Sequence, residues 1–406
     1  MPKRKLAPTL LICILVLTTQ FAGAAGTCGQ PGQFLAPPTS LTDSATPFLS
    51  PGNLLEQLAR NQVVLLGETH DCADDHRWQL VMLTALHQFQ PNLAIGFEMF
   101  PRRLQPVLDR WVAGQLAEVE FLQQAEWGKV WDFDPQFYLP LFRFARQYHL
   151  PMLALNVDHD LISQVRDAGW DAVPETRREG VSRPAAPSVP YRAELQAIFD
   201  IHPARQDNRQ DRATQFAYFV EAQTLWDRAM AEGIVRFRQN HPNTLVVGIL
   251  GAGHVRNGYG VPHQLRALGV NRIANLLTLP SDHDCSEITP GLADAVFLIP
   301  PQPEQAAAPP PRLGVSLAEA KDGVSIETVM PGSLAQRSGL LNGDIIIQAA
   351  GNTVNSVGEV RNYVQRQPAG TWLPLLIRRG NSSLEIVVRF PPEPEPEPAA
   401  TALAPH

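Results

Sequence analysis

The 406-residue chain has no excess of positive charge and no apolar run long enough to cross a bilayer. Its formal net charge is −7, so it lacks the basic field that attracts nucleic acid. It also lacks internal repeats. Apolar residues nevertheless make up 44% of the sequence, which is enough to bury a core. We therefore expect no nucleic-acid partner and two folded domains of ordinary size.

The first residues are typical of a secretory signal peptide. A basic cluster at residues 3–5 precedes an apolar stretch at residues 10–17, which is too short to span a membrane. Small residues at 22–24 offer a cleavage site, so we expect residues 1–25 to be removed and the protein to reach the periplasm or the outer membrane. Cys28 follows closely. A lipid anchor on it is an alternative, although the residues before it fit a lipoprotein signal poorly.

Cysteine is scarce, with 4 residues in the chain. Those that follow the predicted signal peptide are Cys28, Cys72 and Cys285. An odd number allows at most one disulfide within a single mature chain. An oxidising compartment permits that bond, and we expect it between Cys28 and Cys285 because both lie in loop-like sequence.

Proline-rich segments divide the chain. Residues 301–311 form a Pro/Ala-rich linker that favours an extended spacer. It separates a first domain at residues 50–300 from a second domain at residues 312–390. The Pro/Glu-rich tail at residues 391–406 cannot bury a core, and we expect it to be disordered.

The first domain alternates short apolar runs with helical patterns. This alternation predicts an α/β fold with a largely parallel sheet flanked by helices. The predicted strands are Val63–Leu66, Leu93–Phe97, Met152–Val157, Leu245–Leu250, Arg272–Leu277 and Ala295–Ile299. The predicted helices are Asp75–Phe89, Leu104–Trp111, Pro135–Tyr148, Arg192–Phe199, Arg209–Arg238 and Pro262–Leu268. A Pro- and Arg-rich stretch at residues 175–191 is expected to be a mobile loop.

Polar side chains follow several of these strands at the point where each strand ends. Glu68 and His70 follow the first strand, Glu98 the second, and His254 the fourth. The carboxyl ends of parallel strands lie at one edge of a sheet, where ligand sites form. We therefore expect these four side chains to form one shared site.

Two further pairs of polar residues are candidates for the same site. Asp158 and His159 end the third strand, and a role in the site and a structural role stay equally open for them. Gln223 and Asp227 are four residues apart in the longest predicted helix, so they share one face of it. On a face that packs on the core they need partners, which a ligand site supplies.

Residues 54–282 resemble the ChaN-like haem-binding family, part of a superfamily with erythromycin esterases and Tiki-type metalloproteases. The likeness is carried by LLGETHD (65–71), GFEMFPR (96–102), YLPLFRFAR (138–146), EAQTLWDRAMA (221–231) and GAGHVRNGYGVP (251–262). The resemblance implies an exported haem-binding protein of haem or iron uptake. It also implies an axial tyrosine on the iron and haems paired face to face across a homodimer.

The resemblance makes haem the expected cofactor, and iron accepts Tyr or His as axial ligand. Covalent attachment of the cytochrome c type is excluded because no Cys-x-x-Cys-His occurs. Tyr259, which lies between glycines in the last motif, is our first choice of ligand, and Tyr138 is the second. The remaining candidates to contact haem are the strand-end residues and the helix pair, namely His254, His70, Glu68, Glu98, Gln223 and Asp227.

An enzymatic interpretation stays open beside haem binding. Glu68, His70, Glu98 and His254 could hold a divalent metal ion or activate water directly, as a Glu- or His-based hydrolase does. The superfamily's hydrolases resemble this chain in the Glu-x-His start and in the later Gly-x-x-His element. A second alternative is an envelope scaffold that acts through its second domain alone.

The second domain resembles a bacterial PDZ domain, a small β-rich fold. The matches are RLGVSL (312–317), the stretch 329–354 and LEIVVRF (384–390), and residues 357–367 predict the helix beside the peptide groove. The resemblance implies binding of a peptide or a protein C-terminus, such as the tail of an outer-membrane receptor. The peptide-binding residues are expected to be Leu313, Gly314, Val315, Ser316 and Leu317.

Overall fold

The structure is a computed structural model that describes residues 28–40, 47–131, 133–201, 211–302, 311–365, 367–368 and 370–391. The predicted signal peptide, nearly all of the predicted tail and most of the linker lie outside these residues. The chain divides into two compact units between Pro301 and Gln302.

The first unit is built on an eight-stranded sheet with the order β2-β1-β8-β7-β3-β6-β4-β5. Strands β3 to β8 are parallel, whereas β1 pairs antiparallel with β2 and β8. All six predicted strands are confirmed. The strands are β1 Phe34–Leu35, β2 Phe48–Leu49, β3 Val63–Glu68, β4 Leu93–Pro101, β5 Met152–Asn156, β6 Leu245–Gly251, β7 Ile273–Pro280 and β8 Ala295–Ile299.

Helices cover both faces of this sheet, and every predicted helix is present with small shifts of its ends. The helices are α1 Pro51–Ala59, α2 Ala73–Phe89, α3 Gln105–Val112, α4 Glu118–Gln124, α5 Trp127–Val130, α6 Pro135–Gln147, α7 His159–Ala168, α8 Val189–Asp200, α9 Arg212–Asn240 and α10 Val261–Ala267. The sequence did not predict α1, α4, α5 or α7, which are each ten residues long or shorter. Within the described ranges, none of the helices is long and apolar enough to cross a membrane.

The continuous apolar runs of the strands are explained by burial on both faces. Val64 and Leu66 belong to one hydrophobic cluster, with α2, α3 and α6, while Val63 and Leu65 belong to another, with α9 and α10. Successive strand side chains point to opposite faces, so a strand covered on both sides must be apolar at every position.

The loop at residues 175–191 is held by hydrogen bonds to two helices, which corrects the expectation of a mobile segment. The amide group of Gln264 on α10 bonds the backbone N–H and carbonyl of Ala185, both at 2.9 Å. Glu232 on α9 accepts a hydrogen bond from the backbone of Ser182 at 3.1 Å. The composition of the loop does not predict these hydrogen bonds, because their partners lie on distant helices.

A disulfide joins Cys28 and Cys285, as predicted. It ties the segment before β1 to the loop after β7, and Cys72 is a free cysteine. A sulfur atom in a disulfide cannot also carry a thioether-linked lipid.

The second unit is a six-stranded antiparallel sheet with two helices among its described residues. Its strand order is β14-β13-β11-β10-β9, and β12 pairs with β11. Among the residues that the structure describes, the edge strand β9 is therefore paired on one side only. The elements are β9 Val315–Ala320, β10 Gly323–Val329, α11 Leu334–Arg337, β11 Ile345–Ala349, β12 Asn352–Thr353, α12 Val357–Gln365, β13 Trp372–Arg379 and β14 Ser382–Arg389.

Candidate functional site

The predicted strand-end residues meet at the carboxyl edge of the first sheet. Strands β3, β6 and β4 are neighbours, so Glu68 at the end of β3, Glu98 in β4 and the turn after β6 lie side by side. His254 lies in that turn, a short 3₁₀ helix at Ala252–His254. The structure thus brings Glu68, His70, Glu98 and His254 together.

Glu68 is the centre of one half of this edge. Its Oε1 accepts a hydrogen bond from the hydroxyl of Tyr138 at 2.7 Å, and its Oε2 accepts one from Nε2 of Gln79 at 2.7 Å. Nδ1 of His70 lies 2.9 Å from Oε1. The carboxylate is buried, so these donors replace the water it has lost.

His70 is held at the surface of the edge by its loop and by aromatic rings. The loop after β3 is anchored because the backbone N–H of Thr69 donates to Asp75 in the first turn of α2 at 2.7 Å. The imidazole packs against Trp131 and Phe133, with ring centroids 4.7 Å and 5.0 Å away. Its side chain keeps 27% of its surface exposed.

The electrostatic surroundings of His70 favour its protonated form. Burial lowers the pKa of His70, but the hydrogen bond to Glu68 and the charges of Glu98 and Glu68 outweigh it, so the pKa is raised above its usual value.

The other half of the edge is a buried ionic network around His254. Its Nδ1 lies 2.6 Å from Oδ1 of Asp227, and its Nε2 lies 3.4 Å from Oε1 of Glu98. Burial lowers the pKa of His254, yet the two carboxylates raise it overall to about 10. In turn, His254 holds the pKa of Glu98 below its usual value despite burial. The two carboxylates therefore favour the protonated form of His254, although burial raises the pKa of Asp227.

The long helix α9 contributes Asp227 and Gln223 to this network, from the helix face that their spacing predicted. Asp227 is fully buried, and Nε2 of Gln223 lies 3.4 Å from Nδ1 of His254. The hydroxyl of Tyr191 on α8 donates to Oδ2 of Asp227 at 2.8 Å. Tyr191 was not predicted, because nothing in the sequence around the start of α8 distinguishes it from a core tyrosine.

The two tyrosines predicted as iron ligands lie in different surroundings. Tyr138 is fully buried in α6, and its hydroxyl is engaged with Glu68, while burial raises its pKa. Tyr259 is half-buried, and its ring centroid lies 5.9 Å from that of Tyr191. Among the described residues, no hydrogen bond joins Tyr259 to Glu68, His70, Glu98 or His254.

A cavity of about 670 Å³ lies beside the carboxyl edge, within the size range of small-molecule sites. Its walls include Trp131, which touches His70, and Trp226, whose ring centroid is 4.9 Å from that of His254. Asp158 and His159 line this cavity rather than joining the four strand-end residues. Asp158 pairs with Nε of Arg103 at 2.8 Å, and His159 begins α7.

Gln79 and Trp131 are further members of the site that the sequence analysis missed. Helical spacing could have indicated Gln79, since it lies three residues after His76 on α2 and so shares a helix face with it. Trp131 follows the short helix α5, and no sequence pattern indicated it.

The divalent-metal alternative finds no preformed ligand set. In the part of the chain that the structure describes, no group of three or more His, Cys, Asp or Glu residues is placed to hold a metal ion. The carboxylates already have partners within the protein. Glu68 accepts hydrogen bonds from Tyr138 and Gln79, and Glu98 pairs with His254 and accepts a hydrogen bond from the backbone N–H of Gly251.

In the second unit, the predicted peptide-binding segment forms a loop and the edge strand β9. Gly314 has a φ of +75°, and a Cβ atom there would collide with Ser333. The carbonyl of Gly314 accepts from Met330 N at 2.9 Å, and that of Leu313 accepts from Ala335 N at 2.9 Å. Along β9, Val315 and Leu317 pack on the core, whereas Ser316 is exposed.

Comparison with known proteins agrees with this architecture. The family model described as haem-binding uptake, Tiki superfamily, ChaN matches residues 54–265, a little more than half of the chain. A PDZ domain model matches residues 325–379. The ChaN of Campylobacter jejuni, solved with cofacially bound haem, is 19% identical, and the match covers 66% of this chain and 96% of that one with a TM-score of 0.47.

The second unit has relatives of its own. Serine protease HTRA1 of Xenopus tropicalis is 40% identical over 70 residues, which are 17% of this chain. This chain spans only 15% of the length of that relative. The HtrA3 PDZ domain bound to a phage-derived ligand is 25% identical, covering 19% of this chain and 82% of that one, with a TM-score of 0.18.

The matched region of the first family contains every strand end that contributes to the carboxyl-edge site. The chain therefore belongs to the haem-binding uptake family of the Tiki superfamily, ChaN, and carries a C-terminal PDZ domain.

Proposed function

We propose that this chain is an exported protein that binds haem or a related iron porphyrin at the carboxyl edge of its first sheet and serves haem or iron uptake. The observation that carries the proposal is the placement of the His70 and His254 clusters beside a cavity of about 670 Å³ with which they share tryptophan walls. Membership of the haem-binding family supports it.

The residues of this region fit the chemistry of a porphyrin. Met99, Val157, Trp131 and Trp226 give the cavity apolar walls for a flat ring. The cations Arg103, Lys129 and Arg177 line the same cavity, together with carboxylates. Arg103 pairs with Glu126 and Asp158, and Lys129 pairs with Glu126, so Arg177 is the cation that we propose for a propionate group. Bound haem would supply the iron, and the protein would supply an axial ligand, for which Tyr259 is the first choice and Tyr138 the second.

Haem binding is tested by titrating the purified mature protein with hemin while the Soret band is followed. We expect a saturable change at micromolar hemin. No saturable change would contradict the proposed function. Persistent binding in Tyr259→Phe would contradict only the choice of Tyr259 as ligand.

We propose a homodimer with facing haems, by analogy with the cofacial haem binding described for the Campylobacter jejuni protein. Light scattering with and without hemin tests this. A dimer that forms only with hemin is the expected result, and a monomer under both conditions would contradict it.

We propose that the second unit binds the carboxyl end of an extended peptide, with the tail of an outer-membrane receptor as the partner class. The unpaired side of β9 offers backbone groups for an added strand, and the Leu313–Leu317 segment offers N–H groups to the carboxylate. Fluorescence anisotropy with a peptide library should show binding of free carboxylates and not of their C-terminal amides. Equal binding of both forms would contradict this mode.

Export is proposed from the predicted signal peptide and is supported by the Cys28–Cys285 disulfide, since such bonds persist in oxidising compartments. The test is N-terminal sequencing of the protein from a periplasmic fraction. We expect a start close to residue 26, and an intact Met1 would contradict export.

Hydrolysis is retained as a second candidate function because Glu68 orients His70 in the manner of a carboxylate–imidazole base. Ester and peptide turnover, with metal analysis, should be measured for the wild type and Glu68→Ala. Loss of a turnover activity in Glu68→Ala would favour hydrolysis, whereas no turnover in the wild type would dismiss it.

A further inference from the structure

A short part of the chain between α7 and α8 forms one wall of the cavity. Arg177 and Glu179 line the cavity from residues 174–180, a segment that we call the flap. Val173 before the flap and Val181 after it are both buried, and both belong to one hydrophobic cluster with side chains of α9. The flap is therefore a segment that is fixed at its two ends, and such a segment can move as a unit.

The part of the loop that follows the flap is anchored separately. Glu232 on α9 accepts hydrogen bonds from both the backbone N–H and the hydroxyl of Ser182. Gln264 on α10 makes two hydrogen bonds with the backbone of Ala185. These bonds hold the chain after the flap and do not involve the flap itself.

Among the residues that the structure describes, Glu179 makes the hydrogen bonds that join the flap to elements outside its own loop. Its carboxylate accepts the backbone N–H of Asp158 before α7, with Oε1 at 3.1 Å and Oε2 at 3.3 Å. Its carbonyl accepts from Nη1 of Arg102, directly after β4, at 3.0 Å. Arg178, by contrast, donates to the carbonyl of Val173, which lies at the base of the flap. We call the two contacts of Glu179 the latch.

The latch holds Glu179 in an unfavourable conformation. Its φ is +49°, in the left-handed region that side-chain-bearing residues rarely adopt, and Gly180 follows with a φ of +70°. A Cβ atom at Gly180 would meet no atom within 4 Å, so the chain is not packed against at this point. Burial raises the pKa of the Glu179 carboxyl above its usual value, so its position also disfavours its charge. Local opening of the latch relieves both costs.

We infer that the flap is a gate on the cavity, latched by Glu179 and hinged at Gly180, and that a bound ligand holds it closed. The inference rests on the proposed haem binding, because Arg177, the cation proposed for a propionate group, belongs to the flap. Opening carries Arg177 away from the cavity and removes a wall and a ligand contact together. A ligand that binds the closed form therefore shifts the flap toward closure.

The gate is tested without hemin by the distance between a spin label on the flap and one on another wall of the cavity. The labels are attached to the mature protein at Thr176→Cys and at Lys129→Cys on α5, with Cys72→Ser to remove the free thiol. Double electron–electron resonance compares this protein with its Glu179→Ala and Glu175→Ala variants. Glu175 is the matched control, since it is an exposed glutamate of the same flap and is not among the residues that line the cavity.

We expect one predominant distance when Glu179 is present, and the same distance in Glu175→Ala. In Glu179→Ala we expect a second, longer distance whose population relative to the first rises by about tenfold, since a hydrogen bond to a charged group is lost. Unchanged distances in Glu179→Ala, or an equal change in Glu175→Ala, would overturn the gate.

Hemin kinetics test whether the gate controls the site. Stopped-flow Soret changes give the rate of uptake at saturating hemin, and transfer to excess apomyoglobin gives the rate of release. In Glu179→Ala we expect both rates to rise by about tenfold, because opening precedes entry and exit alike, while the affinity changes much less. Glu175→Ala should keep both wild-type rates. Faster release without faster uptake would overturn the gate and show that Glu179 is a ligand contact.

The two measurements separate the gate from the proposed function. If the wild type does not bind hemin, the proposed function is overturned together with the claim that the ligand holds the flap closed. The spin-label distances then still decide whether Glu179 latches the flap. If the wild type binds hemin but Glu179→Ala keeps the wild-type distances and rates, only the gate is overturned.

Discussion

His70 and His254 lie at the same edge of one sheet, yet their surroundings make them different chemical groups. His254 is buried and faces a carboxylate at each nitrogen, and the two carboxylates raise its pKa to about 10. His70 faces one carboxylate, through Nδ1, and keeps 27% of its side chain exposed. The comparison teaches that the number of facing carboxylates and the degree of burial, rather than proximity to the site, set the electrostatic character of each histidine.

The largest expected difference is in stability. His254→Ala leaves Asp227 and Glu98 buried with their cation removed, and breaking such a buried pair costs about 3–5 kcal/mol. His70→Ala removes a part-exposed ring whose partner Glu68 keeps two other donors, so we expect a loss of about 1 kcal/mol. Urea unfolding of the two variants measures the difference. Equal losses would show that the two histidines are not distinct.

The stability of the His254 network is expected to depend on pH. Because the pKa of His254 is raised from 6.5 to about 10, its stabilisation is fully present below pH 6.5 and is lost as the pH rises through about 10. Glu98 has a lowered pKa, so its stabilisation is present above its unfolded value of 4.5 and is lost as the pH falls below it.

Melting temperatures measured between about pH 6 and pH 10 should therefore fall on the alkaline side, and that fall should be much smaller in His254→Gln. His70→Ala, which leaves the network intact, is the control and should retain most of it. A wild-type profile that is flat over this range would contradict a buried imidazolium.

The parts of this comparison that the sequence predicted are those set by strand patterning. Continuous apolar runs marked β3, β4 and β6, and the residues that follow them had to meet because the strands are parallel. Glu68, His70, Glu98 and His254 were found in this way. The face shared by Gln223 and Asp227 followed from helical spacing.

The division of roles between the histidines was beyond sequence reasoning, because it depends on hydrogen bonds between distant elements. Tyr191 reaches Asp227 from 36 positions earlier in the chain, and Tyr138 reaches Glu68 from 70 positions later. Periodicity and motif spacing do not report such pairings. The cavity was missed for the same reason, since its walls extend from Met99 to Trp226.

An intermediate effect is expected at the glycine that leaves room for His70. In Gly251→Ala the new Cβ would approach the imidazole to 2.9 Å, so the ring or the end of β6 must shift, at about 2 kcal/mol. Gly253→Ala in the following turn is the matched control, because its Cβ would meet no atom within 4 Å. Thermal melts and hemin titrations should both change in the first variant and stay unchanged in the second. A silent Gly251→Ala would show that His70 has freedom to move.

The smallest expected effects compare the two tyrosines that support the histidines. Tyr191→Phe removes one of the two side-chain partners of Asp227, so we expect a loss of about 1.5 kcal/mol. Tyr138→Phe leaves Gln79 and His70 on Glu68, so the loss should be nearer 1 kcal/mol. Urea unfolding at neutral pH measures both losses. If Tyr138→Phe were the more damaging, Glu68 and not Asp227 would be the carboxylate that depends more on its tyrosine.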